Sequence, residues 1–333
     1  MRPFARIVVA FGVLGAVLAP APPVFADPAG PTDFRTEIVE VRPDTPSIEV
    51  SVEGGDSFIR LRVTDDADVL VLGYNDEPYL SFADGIIAHN VRSPATYDNE
   101  QRYGAAEWPD IVDPDAPPEW EQIGTGSAWS WHDHRAHWMQ EELPIGLEPG
   151  QALPMPAIEL LVDDTPVEIE VTTILQESPA WWPTVFGLLI GLQLALVAGI
   201  LGRAMLTTAT GLLAIAALVV GAGQYLSLSA ETGPLITWWL MPALALAAAI
   251  ATIAIYGRSE ILERGLVAFA GVQLALWAFL RRDGLSKAVL PTDVPFWFDR
   301  AVTAGVLVGG VTVTVMILRP LVRSPATPAA AGA

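Results

Sequence analysis

The chain has 333 residues, 52% apolar and only 17% charged, with mean hydropathy +0.41 and formal net charge −20 at pH 7. That is too hydrophobic for an ordinary soluble protein and too long for one anchor, and the acidity excludes a nucleic-acid binder that works through a basic surface. Cysteine is absent, which removes disulfides, thiolate catalysis and cysteine-ligated clusters, so any metal must be held by His, Met or carboxylate.

At the start of the chain, Arg2 and Arg6 precede an apolar run over residues 7–19, and Val24-Phe25-Ala26 places small residues where a signal peptidase cuts. Residues 1–26 therefore read as a signal peptide. Residues 27–182 carry 32 of the 38 acidic residues against seven arginines, so the acidity belongs to one exported domain, residues 27–180. Short apolar or alternating runs at 36–41, 47–52, 58–63, 69–74, 158–162 and 167–174 are separated by Gly, Pro and Asp clusters. This pattern predicts an antiparallel β-sandwich-like (Ig-like) domain. Between those runs, residues 75–156 read as one long irregular section, of the kind that is functional or hides strands.

Its centre is Trp129-Ser130-Trp131-His132-Asp133-His134-Arg135-Ala136-His137-Trp138-Met139, which holds three of the four histidines of the chain. At strand spacing His132 and His134 project to one face, and a turn folds His137 and Met139 back toward them. Three imidazoles with a soft thioether suit copper, which heads the affinity order for nitrogen donors. The expected ligands are His132, His134, His137 and Met139, with Asp133 as an acceptor behind an imidazole and with His89 and Met155 as further candidates. The alternative is scaffolding: Asp133 pairs with Arg135, the imidazoles donate to carbonyls, and the indoles bury the loop. In that case the acidic face is an interaction or structural module for another envelope protein. A hydrolase is disfavoured because no nucleophile elbow occurs, and Gly124-Thr125-Gly126-Ser127 lacks the lysine of a phosphate loop.

Residues 181–318 contain five long stretches without ionisable residues, opened by Trp181, Trp182 and Pro183 in the manner of an interfacial belt. These predict a five-helix transmembrane region in the lipid bilayer of the plasma membrane. The fourth stretch, between Arg264 and Arg281, is short and requires a helix that begins near Ile261 or arginines that snorkel. With the acidic domain outside, Arg203, Arg258, Arg264, Arg319 and Arg323 fall inside. The basic loop between Arg281 and Arg300 is the exception: it either counts against this topology or marks a loop packed against the acidic domain. Gln193, Gln224 and Gln273 read as interhelical glue, and the absence of ionisable groups within the spans argues against an ion-coupled transporter. Residues 319–333, rich in Pro and Ala, read as a disordered cytoplasmic tail.

The segments Glu77-Pro78-Tyr79-Leu80, Ser93-Pro94-Ala95-Thr96-Tyr97, Ala116-Pro117-Pro118-Glu119-Trp120 and above all Trp131-His132-Asp133-His134-Arg135-Ala136-His137-Trp138-Met139 resemble a group of actinobacterial exported multi-pass membrane proteins of no established activity. The resemblance implies an architecture of signal peptide, sandwich-like outer domain and C-terminal membrane helices, and it implies no reaction. Some such proteins occur in the company of copper-handling proteins, which agrees with the metal reading. Unlike familiar copper importers, this chain places Met205, Met241 and Met316 singly in different spans, so conduction of copper through the helices is not expected.

Overall fold

The computed structural model describes residues 28–322 except 105 and 141. The expected signal peptide and all of the expected tail (319–333) beyond 322 lie outside the described residues, whereas 319–322, expected to be disordered, continue the last helix. The N-terminal region holds β1 (Phe34–Arg42), β2 (Ile48–Glu53), β3 (Phe58–Val63), β4 (Val69–Leu72), β5 (Pro78–Ala83), β6 (Ile86–Asn90), the short helix α1 (Pro94–Asp98), β7 (Trp120–Thr125), β8 (Ala128–Trp131), β9 (Ala152–Pro154), β10 (Ile158–Val162) and β11 (Thr165–Leu175).

Two antiparallel sheets result. The large one runs β1-β11-β10-β4-β5-β6-β7 with β9 also paired to β11, and the small one runs β2-β3-β8. Alternation decides which faces meet: in β11, Val167, Ile169, Val171 and Leu175 are buried while Glu168 faces water, and in β3 Ile59, Leu61 and Val63 point inward past Arg62. All of these except Leu175 share one core with Val71, Leu80, Ile87 and Leu160, so the sheets close face to face as a sandwich. All six strands expected from the sequence form. The section at 75–156 is not irregular throughout, because β5 to β9 and α1 lie within it. Its β5–β6 hairpin turns on Asp84-Gly85, both with positive φ (52° and 71°), as the twist of a two-residue hairpin requires.

Among the described residues, five helices are long and apolar enough to cross a membrane: α2 (Trp182–Leu201), α3 (Arg203–Leu226), α4 (Thr237–Ala254), α5 (Glu260–Leu280) and α6 (Phe296–Val322). α5 solves the length problem of the fourth stretch by starting at Glu260, with Ser259 as its cap. Arg264 stays inside the helix by donating to the Ile317 carbonyl at 2.8 Å. α2 and α6 approach closely through glycines: a Cβ at Gly187 or Gly191 would lie 2.0 Å from the carbonyl oxygen of Ala301 or Gly305. Gln224 does act as glue, accepting from Arg281 across α3 and α5, whereas the Gln193 side chain is exposed and makes no hydrogen bond among the described residues.

The β region rests on two loops at one end of the helices, those after α3 and α5. Thr32 pairs with Val289 as a β-bridge, and Lys287 binds Asp33 at 2.7 Å. Arg60 on β3 reaches Glu53, Ser130, Ser229 and Glu231. The basic loop thus does pack against the acidic domain. Its Arg281 is further neutralised by Asp299 at 2.6 Å, and Arg300 caps the carbonyls of Gly284, Lys287 and Ala288.

Candidate metal centre

The site begins where β8 ends. Trp131 is the last paired residue of the small sheet, opposite Ile59, and its buried indole N–H donates to Asp133 at 3.0 Å. Asp133 is wholly buried and accepts from the backbone N, Nε and Nη2 of Arg135 at 2.9–3.0 Å. Ala136 N closes a turn onto the Asp133 carbonyl at 2.9 Å. Arg135 is fixed in turn by the Leu72 carbonyl at 3.0 Å and by the Tyr74 ring, 5.1 Å away. The Ala136 carbonyl accepts from Thr36 and Thr173 on the large sheet. Residues 133, 135 and 136 are therefore bolted into the sandwich, and the alternate residues His132, His134 and His137 are left to converge.

They do so closely. Ring centroids are 4.3 Å apart for His132 and His137, 5.4 Å for His134 and His137, and 5.7 Å for His132 and His134. One ring nitrogen from each lies within 4.8 Å of the others, and His132 and His137 are buried while His134 is half-buried. A metal bonded to nitrogen at ~2.0–2.1 Å would place tetrahedral or trigonal donors roughly 3.3–3.6 Å apart, so nitrogens at the far end of the observed range must draw together by roughly 1.2–1.5 Å.

Every imidazole spends one nitrogen on a backbone carbonyl: His132 Nδ1 on Ser57 at 2.5 Å, His134 Nε2 on Gln101 at 2.7 Å and His137 Nδ1 on Trp138 at 3.0 Å. A carbonyl can only accept, so each of these nitrogens carries the proton, and the lone pairs fall on His132 Nε2, His134 Nδ1 and His137 Nε2. The Nε2 atoms of His132 and His137 are buried without any hydrogen-bond partner. Burial, and then the Arg102 guanidinium, pushes the His132 pKa down to about 3. Burial and the neighbouring His132, with Arg102 behind, push His137 down to about 2. Both rings thus stay neutral at ordinary pH with their donor pairs unprotonated, which is the state a metal requires.

The remaining expected residues separate. Asp133 stands behind no imidazole: its oxygens are taken by Arg135 and Trp131, and backbone carbonyls do the orienting instead. Met139 is half-buried two residues past His137 and enters no hydrogen bond among the described residues. Met155 packs against the sandwich core. His89 sits on β6 facing Glu121 at 3.5 Å, and shares with His132 only the lining of a cavity of about 170 Å³ between the sheets. The Ser130 hydroxyl bonds Glu53 and meets Ser229. Among the described residues no serine hydroxyl bonds an imidazole.

Several contributors carried no sequence signal. Ser57, Gln101 and Trp138 act through their carbonyls, which any residue type supplies. Phe58, Tyr74 and Tyr103 set their rings against His132, His134 and His137 at 5.9, 6.0 and 6.5 Å. Arg102 reaches the site through Ser57, whose hydroxyl it meets at 3.0 Å, while holding Asp56 with two bonds of 2.7 Å.

Compared with known proteins, the chain matches no family model, no curated protein and no solved structure.

Proposed function

We propose that this is a non-enzymatic plasma-membrane protein whose extracytoplasmic β domain binds a copper ion through His132, His134 and His137, with Met139 as a soft fourth ligand. One observation carries the reading. Three imidazoles, each held by a backbone carbonyl, bring one ring nitrogen apiece within 4.8 Å of the others, and the Nε2 atoms of His132 and His137 are buried with no partner. An unpaired buried polar atom is costly, by about 1–3 kcal/mol, and a bound ion repays that cost twice over in this site. Imidazole sets suit copper above other divalent ions of its row, and the carbonyl behind each ring is the support that metal-ligating histidines use. The outer placement of the β domain is supported by the charge distribution: in the loops it rests on, Lys287 is neutralised by Asp33 of the β domain and Arg281 by Asp299 of α6, and Arg203, Arg258 and Arg264 lie at the other helix ends.

The test is a copper titration of the full chain in nanodiscs, repeated on His134→Ala. His134 is only half-buried, so its loss costs the fold about 1 kcal/mol or less. Tight binding of one ion, with Kd below ~1 μM (about −8 kcal/mol), should vanish in the variant while thermal unfolding is nearly unchanged. A second reading is favoured by the bolted Asp133–Arg135 turn: the loop is scaffold for an acidic face that binds an envelope protein. On that reading wild type takes up no copper, and His134→Ala unfolds the domain.

A further inference from the structure

We infer that the chain pairs with a second copy of itself through a face of α2 and α3 that the bundle leaves uncovered, with Gln193 of each copy bonded to Gln193 of the other. This rests on the membrane placement of the helices proposed above and not on the metal. α2 is the least buried of the five helices. Of the three glutamines within the spans, Gln224 is buried, Gln273 is half-buried, and Gln193 alone is exposed. Gln193 is the twelfth of the 20 residues of α2. At 1.5 Å per residue it lies about 16 Å from the Trp182 end, near the middle of a hydrocarbon core ~30 Å thick, so its side chain reaches neither headgroup layer. An amide brings two N–H donors and a carbonyl acceptor into that medium, where an unpaired polar group is costly.

The surroundings of Gln193 fit a helix. α2 and α3 are joined through Gly202 alone and leave between them a groove of about 490 Å³. Ile190, Gln193, Val197 and Leu201 recur at spacings of three and four along its α2 wall, Met205 and Leu212 stand on the α3 wall, and all six are exposed. That spacing is the seam of a helix pair. Ala198 and Ala209 also line the groove and are small enough to let a neighbouring backbone come close. The Thr208 hydroxyl is taken by the Ala204 carbonyl at 3.1 Å, so among the lining side chains the Gln193 amide is the one that needs a partner. A second copy supplies it by symmetry. Copies inserted in one direction are related by a two-fold axis along the membrane normal, which sets residues of equal depth opposite each other. An amide is donor and acceptor at once, so Gln193 facing Gln193 satisfies both copies, and a single polar pair in an apolar seam fixes its register.

Because the chain has no cysteine, a single thiol can be introduced without background. The full chain carrying Val197→Cys, one helical turn from Gln193 in the same groove, is reconstituted in dilute liposomes and treated with a short, membrane-permeant bismaleimide. A product of twice the chain's mass is expected, and adding Gln193→Leu should lower its yield at least ~10-fold. Gln193→Leu exchanges an exposed amide for an apolar side chain facing lipid, so the fold of the single copy is not at stake. Ile250→Cys, exposed on α4 outside the groove, should stay at the level of random collision. A yield unchanged by Gln193→Leu, or no greater than that of Ile250→Cys, overturns the pairing while the membrane placement stands. A crosslink formed only in host membranes, to a protein of another mass, gives the groove to a foreign helix and overturns it as well. Rapid reaction of Val197→Cys with a water-soluble, impermeant maleimide puts the groove outside the hydrocarbon and removes the membrane placement and this inference together.

Discussion

Two buried, neutral imidazoles make the stability of the β domain depend on pH in a way that can be worked out. In the unfolded chain His132 and His137 titrate near ~6.5, whereas in the fold their pKa values fall to about 3 and about 2. Below ~6.5 the unfolded state therefore binds two protons that the folded state refuses. The stabilisation is complete above ~6.5 and drains away as pH falls toward 3, at about 1.36 kcal/mol per pH unit for each ring. Between pH 7.5 and 5.0 the loss comes to about 4 kcal/mol for the pair, a large part of the 5–15 kcal/mol typical of a domain. At roughly 3 °C per kcal/mol for a domain of this size, the melting temperature should drop by about 10–15 °C. Tryptophan fluorescence of the metal-free full chain in nanodiscs reads this directly, since Trp129 and Trp131 flank the site. A His132→Gln/His137→Gln variant should flatten the slope. Equal melting temperatures at pH 7.5 and 5.0, or an unchanged slope in the double variant, would refute the buried neutral rings.

Asp133→Asn removes the counter-charge of a buried guanidinium and should cost about 3–5 kcal/mol, read as a lower melting temperature, with partial recovery when Asp133→Leu is combined with Arg135→Met. Gly191→Leu drives a side chain into the Gly305 carbonyl and should separate α2 from α6, seen as loss of a monodisperse peak in detergent with copper uptake by the β domain retained. Arg60→Ala leaves Glu53 and Glu231 facing each other and loosens the β domain from the loop after α3; the cost of about 1–2 kcal/mol appears as faster proteolysis in the linker at 176–181.

What was legible in the sequence follows from the range of the forces involved. Alternation in β3 and β11 reports burial on one face of a strand, and the uncharged stretches report lipid; both are local, and both gave the right elements. The hairpin at Asp84-Gly85 was equally local but was absorbed into the section 75–156, read as irregular, although Asp-Gly between apolar residues is a strong turn signal. The glycine pair Gly187 and Gly191, spaced four apart in an apolar run, likewise marked the α2–α6 contact. The convergence of the three histidines was half legible. Spacing placed His132 and His134 on one side, but the return of His137 depends on the Asp133–Arg135 turn and on Thr36 and Thr173 gripping Ala136. The carbonyls of Ser57 and Gln101 and the Arg102–Asp56 pair come from segments 30–80 residues away in sequence. Tertiary folding alone brings them to the site, so no local pattern announces them. Asp133 misled for the same reason: an acidic residue between two histidines resembles an imidazole's acceptor until Arg135 is seen to occupy it.

Copper K-edge absorption of the loaded full chain tests the central claim most directly, because it counts the atoms bonded to the ion. Three imidazole nitrogens, recognisable by scattering from the outer ring atoms, falling to two in His134→Ala, are the predicted result. A spectrum dominated by oxygen, or one unchanged by that substitution, would show that the ion sits elsewhere and that the three converging rings are scaffold.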